Sequence, residues 1–327
     1  MDGGGDHGGD EADEEGGDNA TSPAETFAVL ANETRMAAVR ELWEAGGPLR
    51  FSALAERAGV ADTANFSYHL DELRPQFVRK THDCYELTRA GWSVMTAVAT
   101  GDVTGRADLS PTRVDRACPF CGADVRVEWS GDTLCVCCPD CPALYRGDRP
   151  TAEADPATDD GTVTTLDLSL TLLAGRDPSA VLDDAVDRTF VKMRSCVQRV
   201  CPDCGAGLDC DCEVCPDHDE TAGVCGRCGL RYGVLATFRC DVCRLRARFT
   251  PLVVPLSSVP ALAFFHDHGH DLTDDPWATY RLLVPDSESV VRRDPLRYEL
   301  RWAVDGERFT LTLDENLETV STDRSDE

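Results

Sequence analysis

The stretch ANFSYHLDELRPQFVRK, residues 64–80, decides the fold of the N-terminal region. Phe66, Leu70 and Leu73 recur at the spacing of one helical face, so the pattern predicts a helix that buries this side. The proline that follows ends the helix. Residues 77–91, FVRKTHDCYELTRAG, then alternate like two strands around a turn. The stretch therefore predicts a helix followed by a β-hairpin.

The segments on either side complete a compact unit. Residues 32–46, NETRMAAVRELWEAG, begin with an asparagine N-cap and carry apolar side chains on one helical face. Residues 51–60, FSALAERAGV, predict a second helix, and Gly59 supplies the tight turn of a helix-turn-helix. Residues 91–101, GWSVMTAVATG, predict a closing amphipathic helix. We expect one domain over residues 21–104.

Taken in order, LANETRMAAVRELWEAG, ALAERAGV, NFSYHLDELRPQFVRK and YELTRAG resemble the ArsR-type winged-helix regulators of prokaryotes. The resemblance covers residues 24–100. It implies that the helix of the opening stretch binds the DNA major groove, that the hairpin is a wing at the phosphates, and that the protein acts as a dimer. Metal-sensing members carry cysteines at the start of this helix, and this sequence has none there, so metal sensing is not carried over.

The outward face of the predicted recognition helix is polar, and its side chains can contact base edges. Basic residues of the wing and the next helix would contact phosphates. The candidate DNA-binding residues are Thr63, Asn65, Ser67, Tyr68, Arg79, Lys80 and Arg89. Units with this fold also bind proteins, which leaves a protein–protein module as the alternative.

The chain is strongly acidic, with 59 Asp and Glu against 32 Lys and Arg and a net charge of −27. Only Lys80 and Lys192 are lysines. This balance is typical of proteins in a very salty cytosol, where screening makes self-repulsion cheap; an acidic mesophilic protein is the alternative. Residues 21–101 hold ten acidic and eight basic groups and are nearly neutral, as a DNA-binding domain in such a protein would be.

No targeting segment is recognisable in the sequence. Residues 1–20 hold eight carboxylates and no basic residue, which predicts a disordered acidic tail and not a secretory signal. The longest apolar stretch, 249–265, is interrupted by three prolines. We expect a cytoplasmic protein without a membrane partner. In a reducing compartment the 17 cysteines are expected to bind metal ions in preference to forming disulfides.

Two Cys-x-x-Cys pairs, Cys118/Cys121 and Cys138/Cys141, flank a segment that alternates like a β-hairpin around Ser130–Gly131. Two such pairs joined through a hairpin predict a zinc ribbon, here over residues 112–148. Cys137 could compete with Cys138.

Four further pairs predict a double zinc-binding module over residues 196–248. These pairs are Cys201/Cys204, Cys215/His218, Cys225/Cys228 and Cys240/Cys243. GLRYGVLATFR, residues 229–239, reads as a strand hairpin, which favours neighbouring pairs sharing one metal; a crossed arrangement, first with third and second with fourth, is the alternative. Cys210 and Cys212 could replace the second pair. We expect about three structural Zn²⁺ ions per chain.

The remaining regions are predicted less sharply. Residues 149–195 form a linker, a strand and a helix, and residues 249–327 form helices, a β-hairpin with an Asp305–Gly306 turn and a short disordered tail. The complete order resembles winged-helix regulators of salt-loving archaea with appended zinc ribbons and a small α+β domain. The resulting fold class is α+β and multidomain.

These features favour a DNA-binding transcriptional regulator whose C-terminal half senses a ligand or binds a partner. The alternative is a zinc-ribbon adaptor that binds proteins of the transcription machinery without sequence-specific DNA contact. The expected partners are double-stranded DNA, a second copy of the chain and transcription-machinery proteins. The sequence has no phosphate-binding glycine loop and no recognisable nucleophile–base pair, so we do not expect an enzyme.

Overall fold

A computed structural model describes residues 22–103, 110–130, 133–146, 160–173, 175–219 and 223–326. The predicted acidic tail and most of the predicted linker lie outside the described residues. The chain divides into two compact units, Met1–Thr104 and Gly105–Glu327. Within the described residues, helices are combined with four antiparallel sheets, which confirms a multidomain α+β protein. No helix in these ranges is long and apolar enough to cross a membrane.

The first unit contains five helices and three short strands within its described residues. The elements are α1 Pro23–Leu30, α2 Glu33–Ala45, β1 Leu49–Arg50, α3 Phe51–Arg57, α4 Thr63–Glu72, β2 Val78–Thr81, β3 Cys84–Leu87 and α5 Arg89–Ala99. The strands form an antiparallel sheet in the order β1-β3-β2. The predicted hairpin is therefore present, and β1, which the sequence did not indicate, adds a third strand.

Local signals explain where α4 begins and what it buries. The Asp62 carboxylate accepts hydrogen bonds from the N–H groups of Ala64 and Asn65, both at 3.1 Å, and caps the helix. Gly59 has φ +67° in the turn between α3 and α4, a conformation that favours glycine. Phe66 and Leu70 of α4 lie in one core with side chains of α2, α3, β2 and β3.

The second unit begins with a five-stranded antiparallel sheet in the order β4-β5-β6-β8-β7. Its strands are β4 Thr112–Ala117, β5 Asp124–Ser130, β6 Thr133–Cys138, β7 Tyr145–Arg146 and β8 Gly161–Leu166. The strand expected between the cysteine-rich modules is β8, and it pairs with both β6 and β7. The sheet therefore extends past residue 148, the expected end of the first module.

In the remaining described residues of the second unit there are two more sheets and three α-helices. Its elements are the short 3₁₀ helix Leu170–Leu172, α6 Pro178–Val197, β9 Asp209–Val214, β10 Val234–Arg239, β11 Arg246–Phe249, the 3₁₀ helix Pro251–Ser257, α7 Val259–Asp267, α8 Pro276–Leu283, β12 Ser287–Arg293, β13 Leu296–Val304, β14 Glu307–Leu313 and β15 Thr319–Asp326. The sheet orders are β11-β10-β9 and β12-β13-β14-β15.

Two expectations for this part were wrong. GLRYGVLATFR does not form a hairpin; it contains the single strand β10, whose partners are β9 and β11. The C-terminal tail through Asp326 is not disordered, because it forms β15 along the edge of β14. Arg324 of β15 donates to the Glu307 and Asp267 carboxylates and fixes the strand. The predicted turn at Asp305–Gly306 is present, with φ values of +51° and +82°.

Two hydrophobic cores organise the second unit. One lies between the five-stranded sheet and α6, and includes Trp277 and Tyr280 of α8. The other contains side chains from β9–β11, α7, β13 and β14. Phe238 stacks on Phe249 at 4.9 Å in this second core. The residues expected to form a zinc module and a separate C-terminal region therefore share one core.

Candidate metal centres and nucleic-acid interface

The first cysteine cluster consists of Cys118, Cys121, Cys138 and Cys141, the set that the sequence predicted. The first pair follows β4 and the second pair follows β6, where the sheet brings the two turns together. The Sγ atoms are separated by 3.8 Å for Cys118–Cys141, 3.5 Å for Cys121–Cys138 and 3.7 Å for Cys138–Cys141. Cys138 and not Cys137 completes this cluster.

The four ligand pairs between residues 201 and 243 form two clusters. The second cluster combines the first pair with the fourth, and the third cluster combines the second pair with the third. The second consists of Cys201, Cys204, Cys240 and Cys243, and the third of Cys215, His218, Cys225 and Cys228. In each cluster the four ligand atoms lie within 4.8 Å of one another. All eight predicted ligands are present, including His218.

This nested pairing corrects the predicted one, in which neighbouring pairs shared a metal, and it differs from the crossed alternative too. The reason is the antiparallel register of β9 and β10. Asp209 at the start of β9 lies opposite Arg239 at the end of β10, and Val214 lies opposite Val234. The pair before β9 therefore meets the pair after β10, and the pair after β9 meets the pair before β10.

The spacing of the ligand atoms fits a tetrahedral metal site. A Zn–S bond of about 2.3 Å gives an S···S edge of about 3.8 Å, and an S···N edge of about 3.6 Å for a histidine ligand. In the second cluster the Cys201–Cys243 and Cys204–Cys240 sulfur distances are both 3.5 Å. In the third, the Cys228 sulfur lies 3.5 Å from the His218 Nδ1. Each cluster could therefore hold one metal ion.

His218 is oriented for ligation through Nδ1. Its Nε2 lies 3.0 Å from the Arg231 carbonyl oxygen, a contact in which Nε2–H donates and Nδ1 keeps its lone pair for a metal. The buried Glu288 carboxylate lies 3.8 Å from the same Nε2. Glu288 in turn accepts hydrogen bonds from the Gly233 N–H and the Tyr298 hydroxyl. The Arg231 carbonyl thus holds the imidazole directly, and the hydrogen-bonded Glu288 carboxylate lies beside it.

Sequence reasoning missed this support for His218. Glu288 lies on β12, far from the cysteine pairs in the chain, and a lone glutamate in a strand carries no motif. No sequence pattern indicated a role for Gly233 either, although a Cβ on it would lie 2.9 Å from the His218 Cγ. The only available signal was a glycine directly before a strand, which indicates a close approach.

The thiols within the clusters differ in acidity. Backbone N–H groups donate hydrogen bonds to the Cys225 sulfur and lower the pKa of this thiol to about 6. The N–H of Asp219 has the largest effect. The Cys243 N–H lowers the pKa of Cys240 to about 7. Burial raises the pKa of Cys228 to about 11. A metal requires its cysteine ligands as thiolates, so it must displace a proton from groups such as Cys228.

The cysteines outside the clusters form no disulfide. These residues are Cys84, Cys135, Cys137, Cys196, Cys210 and Cys212. Cys210 and Cys212 lie on β9, partly buried against the second core, and do not replace Cys215 and His218.

The candidate DNA-binding residues lie on three elements of the first unit, α4, β2 and α5. All seven are exposed: Thr63, Asn65, Ser67, Tyr68, Arg79, Lys80 and Arg89. Tyr68 is the most prominent apolar side chain of α4, with 56% of its surface exposed. The Arg79 guanidinium lies 3.0 Å from the Glu86 carboxylate, and the Lys80 ammonium lies 5.4 Å from the centre of the Tyr85 ring.

Comparison with known protein families divides the chain as the fold does. Residues 115–319 match the family described as Domain of unknown function (DUF7351), which covers more than half of the chain. The chain therefore belongs to this family. Residues 23–98 match a second family, Domain of unknown function (DUF7347). No curated protein and no solved structure matches the chain.

Proposed function

We propose that the protein is a DNA-binding transcriptional regulator of the ArsR type, with a winged helix-turn-helix in its first unit. The observation that carries the proposal is α4, which buries Phe66 and Leu70 and exposes a continuous polar face. The order of helices and the β2–β3 hairpin after α4 match what a recognition helix and a wing require. Such a helix reads base edges through side chains like Asn65 and Tyr68.

The wing carries little free positive charge. Glu86 faces Arg79 across the hairpin and offsets its charge, so Lys80 and Arg89 remain as the basic candidates for phosphate contacts. Counterion release contributes little to DNA affinity at the high salt that the composition suggests. Specific polar contacts by α4 would then supply most of the affinity.

We propose that the three clusters hold structural Zn²⁺, in zinc-ribbon modules. Thiolate and imidazole ligands in tetrahedral spacing suit Zn²⁺. Each cluster offers four protein ligands, which fill a tetrahedral shell and leave no position for a reacting water. The metal would stabilise the second unit, which forms the sensory or interaction half of the regulator.

We further propose that the regulator binds DNA as a homodimer. The exposed large apolar side chains of the first unit include Phe27 on α1, at 66%, and Trp92 on α5, at 40%. Burying them against a second copy would remove apolar surface from water. A dimer would also present two α4 helices to a palindromic site.

The test begins with selection of genomic DNA fragments by the full-length protein in about 2 M KCl, where nonspecific phosphate binding is weak. Enriched fragments are then footprinted. Asn65→Ala and Tyr68→Ala should each weaken specific binding by about 1–3 kcal/mol. The control is Thr96→Ala, which removes an exposed polar side chain from α5.

If no sequence is enriched, or if both α4 variants give the same footprint as the wild type, the DNA-binding proposal is wrong. The adaptor function would then be preferred. The pairing of Arg79 with Glu86 favours that function, because it reduces the positive charge available to phosphates. Direct binding to purified transcription-machinery proteins would support it.

A further inference from the structure

The second unit contains a cavity of about 730 Å³ where its two hydrophobic cores approach each other. One wall comes from β8 and α6, and the other from β10, β11 and the 3₁₀ helix Pro251–Ser257. Pockets of roughly 300–1,000 Å³ with apolar walls are the usual sites for small ligands. This volume is therefore large enough for a small organic molecule.

The walls of the cavity are mainly apolar. Apolar side chains that line it include Leu166, Val186, Phe190, Met193, Leu235 and Val253. Two hydroxyl groups at the cavity already donate their protons to carbonyl oxygens. Tyr280 donates to Val163 at 2.8 Å and Thr189 to Ala185 at 2.7 Å. Neither of these protons is available to a ligand. Further hydroxyl groups of the lining belong to Tyr145, Thr164, Thr165 and Thr250.

The cavity lining includes two arginines and, among the described residues, no aspartate or glutamate; Cys228 of the third cluster also lines it. Arg246 and Arg248 lie two residues apart on β11, hence on the same face of the strand, and both are exposed. Arg248 has an ion pair with Glu213 at 3.5 Å, which is solvent-exposed and therefore weak. Arg246 has no ion pair among the described residues. Two arginines beside an apolar cavity contrast with the net charge of −27 of the chain.

We propose that this cavity binds an amphipathic carboxylic acid. The apolar body of the ligand lies against Phe190, Met193 and Leu235, where its burial provides most of the affinity. The carboxylate lies at the edge, between the guanidinium groups of Arg246 and Arg248, whose planar donor geometry suits it. The proposal does not depend on DNA binding, and its test does not use DNA.

The test uses the full-length protein and three probes that share one body and differ only in the head group: 4-phenylbutyrate, 4-phenylbutanol and 4-phenylbutylamine. Calorimetric titration should give the acid the lowest Kd, about tenfold below that of the alcohol, because hydrogen bonds to charged groups are the stronger ones. The amine should bind more weakly than the alcohol, since two arginines repel it.

Variants separate the cavity from nonspecific binding. Arg246→Gln combined with Arg248→Gln should remove the preference for the acid over the alcohol while leaving the alcohol affinity unchanged. Arg239→Gln is the matched control, because Arg239 lies opposite Arg246 in the β10–β11 register, is exposed and does not line the cavity. This control should keep the preference. Thr189→Trp, which fills the cavity from α6, should abolish binding of both probes.

Three results would overturn the proposal. The first is that none of the probes binds. The second is that the acid binds no better than the alcohol. The third is that the double arginine variant and Arg239→Gln behave alike. Melting curves of each variant identify a folding defect. If the double variant is unfolded, the comparison uses the single variant Arg246→Gln. Arg246 is chosen because it has no ion pair among the described residues. A reduced preference there supports the proposal and an unchanged one refutes it.

Discussion

Replacing Gly233 by alanine should release the metal of one cluster and spare the other two. A Cβ at this position would lie 2.9 Å from the Cγ of His218, 3.2 Å from its Cβ and 3.3 Å from its Cδ2. Carbon atoms do not approach so closely, so the imidazole must move. Movement displaces Nδ1 from the cluster and breaks the contact between Nε2 and the Arg231 carbonyl. The damage is confined to the third cluster.

The size of the effect follows from what holds His218. Disturbing the partners of a metal-bound histidine lowers metal affinity by about 10–100-fold. This range corresponds to about 1.4–2.8 kcal/mol of binding free energy. The Cys215 N–H donates to the Gly233 carbonyl at 2.8 Å, so a shift of this backbone segment would disturb a second ligand of the same cluster. We therefore expect the upper half of the range.

The assay is competition between the purified protein and a coloured zinc chelator of graded affinity, with the released metal counted per chain. Wild-type protein should hold all its metal to a high chelator concentration. Gly233→Ala should lose one ion at a concentration about 30–100-fold lower and retain the rest. Gly226→Ala is the control, because Gly226 lies between Cys225 and Cys228 and an added Cβ meets nothing within 4 Å.

Two outcomes would refute the reasoning. If Gly233→Ala releases its metal like the wild type, the contact with His218 does not constrain the site. If it releases all metal at once, the clusters are not separate. A loss in Gly226→Ala equal to that in Gly233→Ala would assign the effect to the loop and not to the imidazole.

Three further predictions concern stability and protonation. Chelation should unfold the second unit, while a fragment of residues 20–105 keeps its helical circular dichroism; loss of that signal on chelation would contradict the division. Phe66→Ala in the same fragment should lower the free energy of unfolding by about 3–5 kcal/mol in urea titrations, because the side chain is fully buried. Metal binding to the metal-free protein at pH 7 should release protons, since the thiols of an unfolded second unit have their ordinary pKa of about 8.5 and are mostly protonated there. Folding adds to this demand at Cys228, because burial raises its pKa to about 11. The affinity for the metal should therefore rise with pH. Calorimetry in buffers of different ionisation enthalpy measures the number of protons released. A metal affinity that does not change between pH 7 and 9 would show that the thiols are already deprotonated.

Much of the site was predictable because cysteine spacing acts locally. A Cys-x-x-Cys turn requires only a few residues, so each knuckle and each ligand could be identified from the sequence. The assignment of pairs to clusters could not, because it depends on which strands are neighbours. Once β9 and β10 are adjacent and antiparallel, the nested arrangement follows from Asp209 lying opposite Arg239.

The fold was predictable where one face of an element is buried. The helix α4 has a clear apolar face, and the sequence identified it. The strand β15 is exposed along its whole length, so no alternation marks it, and its sequence resembles a polar tail. The two-residue strand β1 is too short for any periodicity. Glu288 was missed because its role depends on Tyr298 and Gly233, which only the tertiary structure brings together.

The nested pairing gives the second and third clusters different structural roles. The outer cluster includes Cys201 and Cys240, each 2% exposed and part of the core that also contains Phe238 and Phe264. It closes the longer segment of chain, and a cross-link that closes a longer loop removes more entropy from the unfolded chain. The inner cluster closes a shorter loop at the other end of the same strands. A metal in the outer cluster would therefore support the core itself, whereas one in the inner cluster would order the loop around His218, which reaches the rest of the unit through Glu288.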